Sequence, residues 1–140
     1  MSAAGPRVFE LRLRVRYAET DGMRIVHHAN YPVYFEEARS ELSREAGLPY
    51  AMMEAEGYAM AVAEINIRYL RPAIYDQELV VRTTVQKVGS RGVTFGYDVL
   101  LADTDVLIAT GSSKHVLVDQ SGNPTRFPPA WLEQLRALSA

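Results

Sequence analysis

The chain has 140 residues, of which 48% are apolar and 23% charged, as in a single ordinary globular domain with a sizeable core. Its net charge of −2 does not favour nucleic acid or an anionic membrane as a partner, and the lack of cysteine excludes disulfides and thiol chemistry. No signal peptide or membrane span is visible, so we expect one cytoplasmic domain over residues 1–140.

The N-terminal part predicts a strand, a long helix and a short helix. Alternating apolar and charged side chains over residues 8–17 indicate a strand with one buried face, after a frayed terminus at residues 1–6. Asn30 is a good helix cap, and a proline in the first turn is tolerated because its missing N–H has no helical partner there. Apolar side chains then recur at helical spacing up to a break at residues 47–49, and a second helical turn or two follows over residues 50–56.

The remainder of the chain predicts four strands and a C-terminal helix. Gly111, inside the last strand, predicts either a bulge or a close approach of two backbones. The last three strands are joined by tight turns and should be antiparallel neighbours. The C-terminal helix is predicted to begin at Pro129. The four strands are predicted over residues 61–69, 79–88, 93–101 and 106–119.

The order of these elements predicts an α+β fold, in which a five-stranded antiparallel sheet wraps around one long central helix. No internal repeat and no interdomain linker is visible. Since one helix covers a sheet of this width incompletely, we expect the chain to pair with a second copy of itself.

The loop between the first strand and the long helix holds the main candidate site. Asp21, His27 and His28 lie there, directly before a helix N-terminus, and together they offer a base or nucleophile and a place for negative charge on oxygen. There are simpler interpretations of these residues. Asp21 could be an ordinary turn aspartate, His27 and His28 could be ordinary loop histidines, and Tyr17 could be a core residue. A metal site that adds His115 is disfavoured, because adjacent histidines on an extended loop point apart and no HxH, HExxH or cysteine partner is present.

A second candidate site is the turn around residues 89–92. Lys87, Ser90 and Arg91 cluster there, and basic side chains beside free N–H groups suit the phosphates of a nucleotide, although a polar hairpin tip is the alternative. No Walker loop, no GxGxxG after a strand and no GxSxG elbow occurs. These absences exclude most nucleotide-cofactor and serine-hydrolase classes.

Taken together, these motifs resemble the hotdog-fold thioesterases of the 4-hydroxybenzoyl-CoA thioesterase superfamily, and in particular the YbgC-like acyl-CoA thioesterases. That family shows approximately Tyr-x-x-x-Asp, a Gly, Val-x-His-x-x-Tyr and then Glu-x-Ala-Arg in the helix. Where the family usually has glycine three residues after the aspartate, this chain has Arg24, which must accept the backbone angles of the loop. The matching residues are Tyr17, Glu19, Asp21, Val26, His28, Tyr31, Glu37, Ala38 and Arg39, with a further match over residues 67–73.

The resemblance implies a hotdog thioester hydrolase that acts on a small acyl-CoA, with no cofactor and no metal. It implies a homodimer that assembles into a homotetramer, with active sites at the protomer interface. Asp21 would act as general base or nucleophile, the backbone N–H of His28 would polarise the thioester carbonyl, and Tyr17 and the His28 ring would orient carboxylate, water or substrate. The residues that would bind CoA or the acyl group are Lys87, Ser90, Arg91 and Arg24.

Two other functions stay open at this point. One is a non-catalytic module that binds acyl-CoA or acyl carrier protein, which the replacement of glycine by Arg24 keeps open. The other is a hotdog enoyl-CoA hydratase or dehydratase, in which His28 would be paired with Glu36 or Glu37. The His-Phe-Pro loop typical of fatty-acid dehydratases is absent from the chain, which disfavours this second alternative.

Overall fold

A computed structural model describes residues 5–139, so most of the predicted frayed terminus at residues 1–6 lies outside the described part. All five strands form one antiparallel sheet in the spatial order β1-β3-β4-β5-β2. This confirms the predicted α+β fold and the adjacency of the last three strands. The strands are β1 (Phe9–Arg14), β2 (Ala59–Tyr69), β3 (Glu78–Val88), β4 (Gly92–Leu101) and β5 (Leu107–Val118), and the helices are α1 (Tyr31–Glu45), α2 (Tyr50–Ala55) and α3 (Pro129–Ser139).

Helix α1 packs its apolar stripe against one face of the sheet. The ring of Phe35 is fully buried and stacks on Tyr97 of β4, with the ring centroids 4.1 Å apart. Gly111 of β5 makes this approach possible, because a Cβ there would lie 2.7 Å from the Phe35 ring and 2.5 Å from the Asn66 carbonyl oxygen. Of the two predictions for Gly111, the close approach is therefore confirmed, whereas the bulge is not found at this residue.

Strand β1 ends earlier than predicted. The strand ends at Arg14, and Tyr17 begins a short 3-10 turn (Tyr17–Glu19) that is closed by a hydrogen bond of 3.1 Å from the Thr20 N–H to the Tyr17 carbonyl. The Tyr17 side chain is 76% exposed. The prediction that the strand reaches Tyr17 and buries it is wrong, because the turn takes the chain off the sheet before that residue.

Strand β2 forms one edge of the sheet, and its alternation is broken by a bulge between Val62 and Glu64. Val62 lies opposite His115, and Ile65 lies opposite Ser113, both of which are buried on the side of the sheet that faces α1. Val62 and Ile65 nevertheless remain 49% and 38% exposed, because α1 does not extend over this edge. The expectation that one helix covers the sheet incompletely is therefore confirmed at β2.

The C-terminal helix α3 begins at Pro129 as predicted and packs against β3. It buries the side chains of Trp131, Leu135 and Leu138. Among residues 5–139, no helix has the length and apolar composition needed to span a membrane.

Candidate active site

The loop that carries Asp21 is closed by its own hydrogen bonds. Thr20 and Val26 form an isolated bridge, and the Asp21 N–H donates to the Ile25 carbonyl at 3.0 Å. The Oδ1 atom of Asp21 accepts a hydrogen bond of 2.8 Å from the Met23 N–H. No donor of residues 5–139 hydrogen-bonds to Oδ2, and the side chain is half-buried. The loop thus orients the carboxylate and leaves one of its oxygens available.

Arg24 lies in the same loop with a φ of 64°, in the left-handed region that glycine adopts most easily. The expectation that this residue must accept the backbone angles of a family glycine is confirmed. Its N–H donates to the Asp21 carbonyl at 2.9 Å, and its side chain is exposed. The guanidinium makes no ion pair within residues 5–139, and its contact with a substrate stays a prediction.

The helical segment that contains α1 effectively begins at His28, because a 3-10 turn (His28–Asn30) runs directly into α1. The Ala29 N–H is bound by Nδ1 of His27 at 3.1 Å, and the Asn30 N–H by the His27 carbonyl at 3.0 Å. The His28 N–H has no acceptor within residues 5–139. Free N–H groups at a helix start carry partial positive charge, so this one is suited to bind an oxygen that gains negative charge.

Glu19 holds the Asp21 loop and the helix start together. Its buried carboxylate accepts hydrogen bonds from the Arg16 N–H (2.8 Å) and the Tyr34 hydroxyl (2.9 Å). Its carbonyl accepts from the His27 N–H (2.8 Å) and from the Asn30 side-chain amide (2.9 Å). Burial and the hydrogen bond to Glu19 raise the pKa of Tyr34, so the phenol stays a donor.

This arrangement corrects one prediction and adds one residue. The Asn30 side chain does not cap α1, because it donates to the carbonyls of Glu19 and His27 instead. Sequence reasoning identified Glu19 only as a match to an acidic family position, two residues before Asp21. Its partner Tyr34 gave no signal beyond core packing.

Three tyrosines near the loop are exposed, namely Tyr17, Tyr69 and Tyr75. The exposed Tyr17 ring packs edge-on against Tyr75, with the centroids 5.6 Å apart. The Tyr69 hydroxyl, at the end of β2, donates to the His28 carbonyl at 3.2 Å. The Asp21 loop therefore lies at the Tyr69 end of the exposed edge strand.

The three histidines lie in two separate places. The rings of His27 and His28 stack with their centroids 4.2 Å apart, so the expectation that they point apart is wrong, because the 3-10 turn replaces an extended loop. His115 lies elsewhere, buried on β5. Within residues 5–139, no three His, Asp or Glu side chains come together as a metal site would require.

The second predicted site is a basic cavity of about 360 Å³ beside the β3–β4 turn. Lys87 and Arg91 line it, as does Lys114 of β5, which the sequence did not indicate. Ser90 is exposed in the same turn but does not line the cavity, and Arg24 lies in the Asp21 loop. The three cations of this basic cavity are suited to bind phosphate groups.

A five-stranded antiparallel sheet wrapped around one helix, with a carboxylate loop before the helix start, defines a hotdog-fold protein. The family model described as "Thioesterase-like superfamily" matches residues 15–135 of the chain. The chain belongs to the thioesterase-like superfamily, which confirms the resemblance found in the sequence.

Three similar proteins illustrate this membership. The acyl-CoA thioesterase YbgC of Haemophilus influenzae is 30% identical over 122 residues, which cover 86% of this chain and 88% of that protein. The crystal structure of the hypothetical protein TT1821 from Thermus thermophilus is 36% identical, with a TM-score of 0.88 over 93% of this chain and 98% of that one. The DHNA-CoA thioesterase of Staphylococcus aureus is 28% identical, with a TM-score of 0.89 over 94% of this chain and 90% of that one.

Proposed function

We propose that the chain hydrolyses the thioester of a small acyl-CoA to the free acid and CoA, with assistance from the Asp21 carboxylate. The observation that carries this proposal is the pairing, in one loop, of a carboxylate oxygen of Asp21 that has no donor among residues 5–139 with the equally unbonded N–H of His28. The Glu19 carbonyl, two residues before Asp21, binds the His27 N–H and the Asn30 amide on either side of His28. Membership of the thioesterase-like superfamily supports the reaction type.

In this mechanism the His28 N–H binds the thioester carbonyl oxygen, on which negative charge develops. A donor of this kind typically contributes about 3–4 kcal/mol to the stabilisation of the transition state. Asp21 either removes a proton from the attacking water or attacks the carbonyl carbon itself. In the first route water adds to the acyl carbon directly, and in the second Asp21 forms a mixed anhydride with the acyl group, which water then hydrolyses to the free acid and the regenerated carboxylate. In both routes the C–S bond breaks, and the CoA thiolate leaves and is protonated. Since a thiolate is a good leaving group, the reaction needs no cofactor.

The first prediction is thiol release from a panel of acyl-CoA thioesters. We expect turnover of at least one short aliphatic or aromatic acyl-CoA, followed with a thiol-reactive dye and without added metal or cofactor. Tight binding of acyl-CoA without thiol release would instead indicate a binding module. Hydration of an enoyl-CoA without thiol release would indicate a hydratase, and either result would contradict the proposal.

We also propose that the basic cavity binds the phosphates of CoA. Replacing Lys114 with glutamine should raise KM for an acyl-CoA by about two- to fivefold, the range expected for one exposed ion pair. The increase should shrink at high ionic strength, because salt screens the interaction. The control substrate is the N-acetylcysteamine thioester of the same acid, which lacks the nucleotide, and the control variant is Arg136→Gln on α3. An equal increase in KM for both substrates would argue against phosphate binding at Lys114.

We further propose that the chain forms a homodimer through β2, and that two dimers form a tetramer. Strand β2 leaves one edge of the sheet without a partner strand in the described chain and exposes apolar side chains, which is a surface that soluble proteins usually cover.

Light scattering should therefore give two or four times the mass of the chain for the wild type. Ile65→Lys, which places a charge on the exposed edge strand, should shift the protein to the monomer. Val106→Lys is the matched control, because Val106 is equally exposed (38%) but lies in the β4–β5 turn. A monomeric wild type would contradict the proposed pairing, as would an Ile65→Lys variant with unchanged mass.

A further inference from the structure

The Glu-Ala-Arg motif ends in Arg39, whose side chain has no part in the mechanism above. Arg39 is only 7% exposed, on the side of α1 that faces α2 and the beginning of β2. Its guanidinium makes no ion pair within residues 5–139, and Nη1 is buried without a hydrogen-bond partner there. A buried cation that makes no ion pair is unfavourable, so an anion bound beside Arg39 would be stabilised there.

Two more polar groups next to Arg39 lack partners. The Tyr50 hydroxyl, on α2, is buried and has no well-aligned hydrogen-bond partner within residues 5–139, although the side chains of Ser43 and Arg39 lie within reach of it. Burial raises the pKa of Tyr50, so the phenol keeps its proton and can donate. Nδ1 of His115 on β5 is likewise buried without a described partner, while Nε2 hydrogen-bonds to the Ser113 hydroxyl at 2.7 Å.

The protonation state of His115 fits an additional donor. Burial and the nearby charge of Arg39 lower the pKa of His115 to about 4, so its ring is neutral at neutral pH. When the Ser113 hydroxyl donates to Nε2, the proton of the neutral ring lies on Nδ1. A cation, a phenol and an imidazole N–H can then act together on one acceptor.

These three side chains line one cavity of about 260 Å³, which we call the Arg39 cavity. Its wall includes the apolar side chains of Met53 and Met60. Two exposed carboxylates, Glu36 and Glu54, also line it, but neither forms an ion pair with Arg39. Their charge disfavours a doubly charged anion such as phosphate, and therefore favours a ligand with a single negative charge and an apolar body.

We propose that the Arg39 cavity binds a carboxylate group, which accepts hydrogen bonds from Arg39 and Tyr50 while its carbon skeleton packs against the methionines. The planar guanidinium matches the two oxygens of a carboxylate. The carboxylate can belong to a free acid or to the far end of an acyl thioester. Only the second source rests on the proposed thioesterase function.

The first experiment measures binding of free acids by calorimetry, with hexanoate and benzoate as probes and with inorganic phosphate and chloride as controls. We expect saturable binding of a carboxylate to the wild type and a loss of affinity of at least about tenfold in Arg39→Met. Tyr50→Phe should weaken binding by a smaller factor. Arg44→Met, at an exposed arginine of the same helix, should bind like the wild type.

A thermal-unfolding measurement without ligand separates binding from a structural role. Removal of a buried cation that has no partner should leave the midpoint of Arg39→Met unchanged or raised, whereas loss of a structural ion pair would lower it strongly. A lowered midpoint in Arg39→Met, together with a lowered midpoint in Tyr50→Phe and no carboxylate binding by the wild type, would overturn the proposal.

The second experiment compares thiol release from carboxyl-terminated acyl-CoAs with release from their methyl esters. If the carboxylate is the end of the acyl group, the wild type should show a lower KM for the free carboxylate form. Arg39→Met should lose this preference, and Arg44→Met should keep it. Binding of a free acid in the first experiment, or a KM preference for the carboxyl-terminated acyl-CoA in the second, identifies the source of the carboxylate. If neither is observed, the proposed carboxylate site is overturned. If no thioester is hydrolysed at all, the proposed function fails while the calorimetry still tests the cavity.

Discussion

Replacement of Asp21 by asparagine is expected to lower kcat/KM for acyl-CoA hydrolysis by about 10²–10⁴-fold, the range for loss of a general base. The side-chain oxygen of asparagine can still accept the Met23 N–H, so the loop should keep its shape. The amide can neither take a proton from water nor attack a carbonyl carbon, so both catalytic routes are lost. The measurement is thiol release under kcat/KM conditions, together with the midpoint of thermal unfolding.

Asp105→Asn is the matched control, because Asp105 is an exposed aspartate in the β4–β5 turn. It should retain wild-type activity. Equal rates for Asp21→Asn and the wild type would remove Asp21 from the mechanism. A lowered unfolding midpoint in Asp21→Asn would instead assign the loss of activity to the fold of the loop.

Replacement of Glu19 by alanine should cost about 2–4 kcal/mol of the free energy of unfolding, because it leaves a buried cavity and removes the acceptor of the Tyr34 hydroxyl. It should also lower kcat/KM by about 10–10²-fold, since the Glu19 carboxylate ties the chain just before Asp21 to Tyr34, which lies on the same helical segment as His28. Urea unfolding gives the first quantity, and thiol release at a temperature where the variant stays folded gives the second.

Glu37→Ala provides the comparison, because Glu37 is an exposed glutamate on α1 and makes no hydrogen bond within residues 5–139. Tyr34→Phe should cost about 1 kcal/mol, the usual value for one hydrogen bond. If Glu19 and Tyr34 act through their shared bond, the double variant should be more stable than the sum of the single effects predicts. An active and fully stable Glu19→Ala variant would contradict the positioning role.

The prediction from sequence was most accurate for strands that have a neighbouring strand on each side. In β3 the alternation of Leu79, Val81 and Val85 matches their complete burial, because local pattern and packing agree in the centre of a sheet. At the sheet edges they do not agree. Tyr17 is exposed because a 3-10 turn takes the chain away from β1, and the bulge in β2 moves Val62 to the helix-facing side. Neither the turn nor the bulge can be predicted from the spacing of apolar residues.

In the candidate site, too, local features were predictable from the sequence and long-range contacts were not. Asp21 and His28 are neighbours along the chain, so their spacing before a helix start is visible in the sequence. Lys114 and Arg39 acquire their surroundings only when strands and helices that are distant in sequence come together. The partnership of Glu19 with Tyr34 has the same origin, since a hydrogen bond between a loop and a helix face has no signature in composition or periodicity.

The contact at Gly111 links the middle of the sheet to the position of the His28 N–H. Phe35 rests directly on this residue, and His28 lies seven residues earlier on the same rigid helical segment, about 10 Å along its axis. A Cβ at position 111 would collide with the Phe35 ring and with the Asn66 carbonyl, so the helix or the strands would have to shift. A shift of α1 would move the His28 N–H with it. Under the proposed mechanism, a residue in the middle of the sheet therefore restricts which core mutations the chain can accept without a loss of turnover.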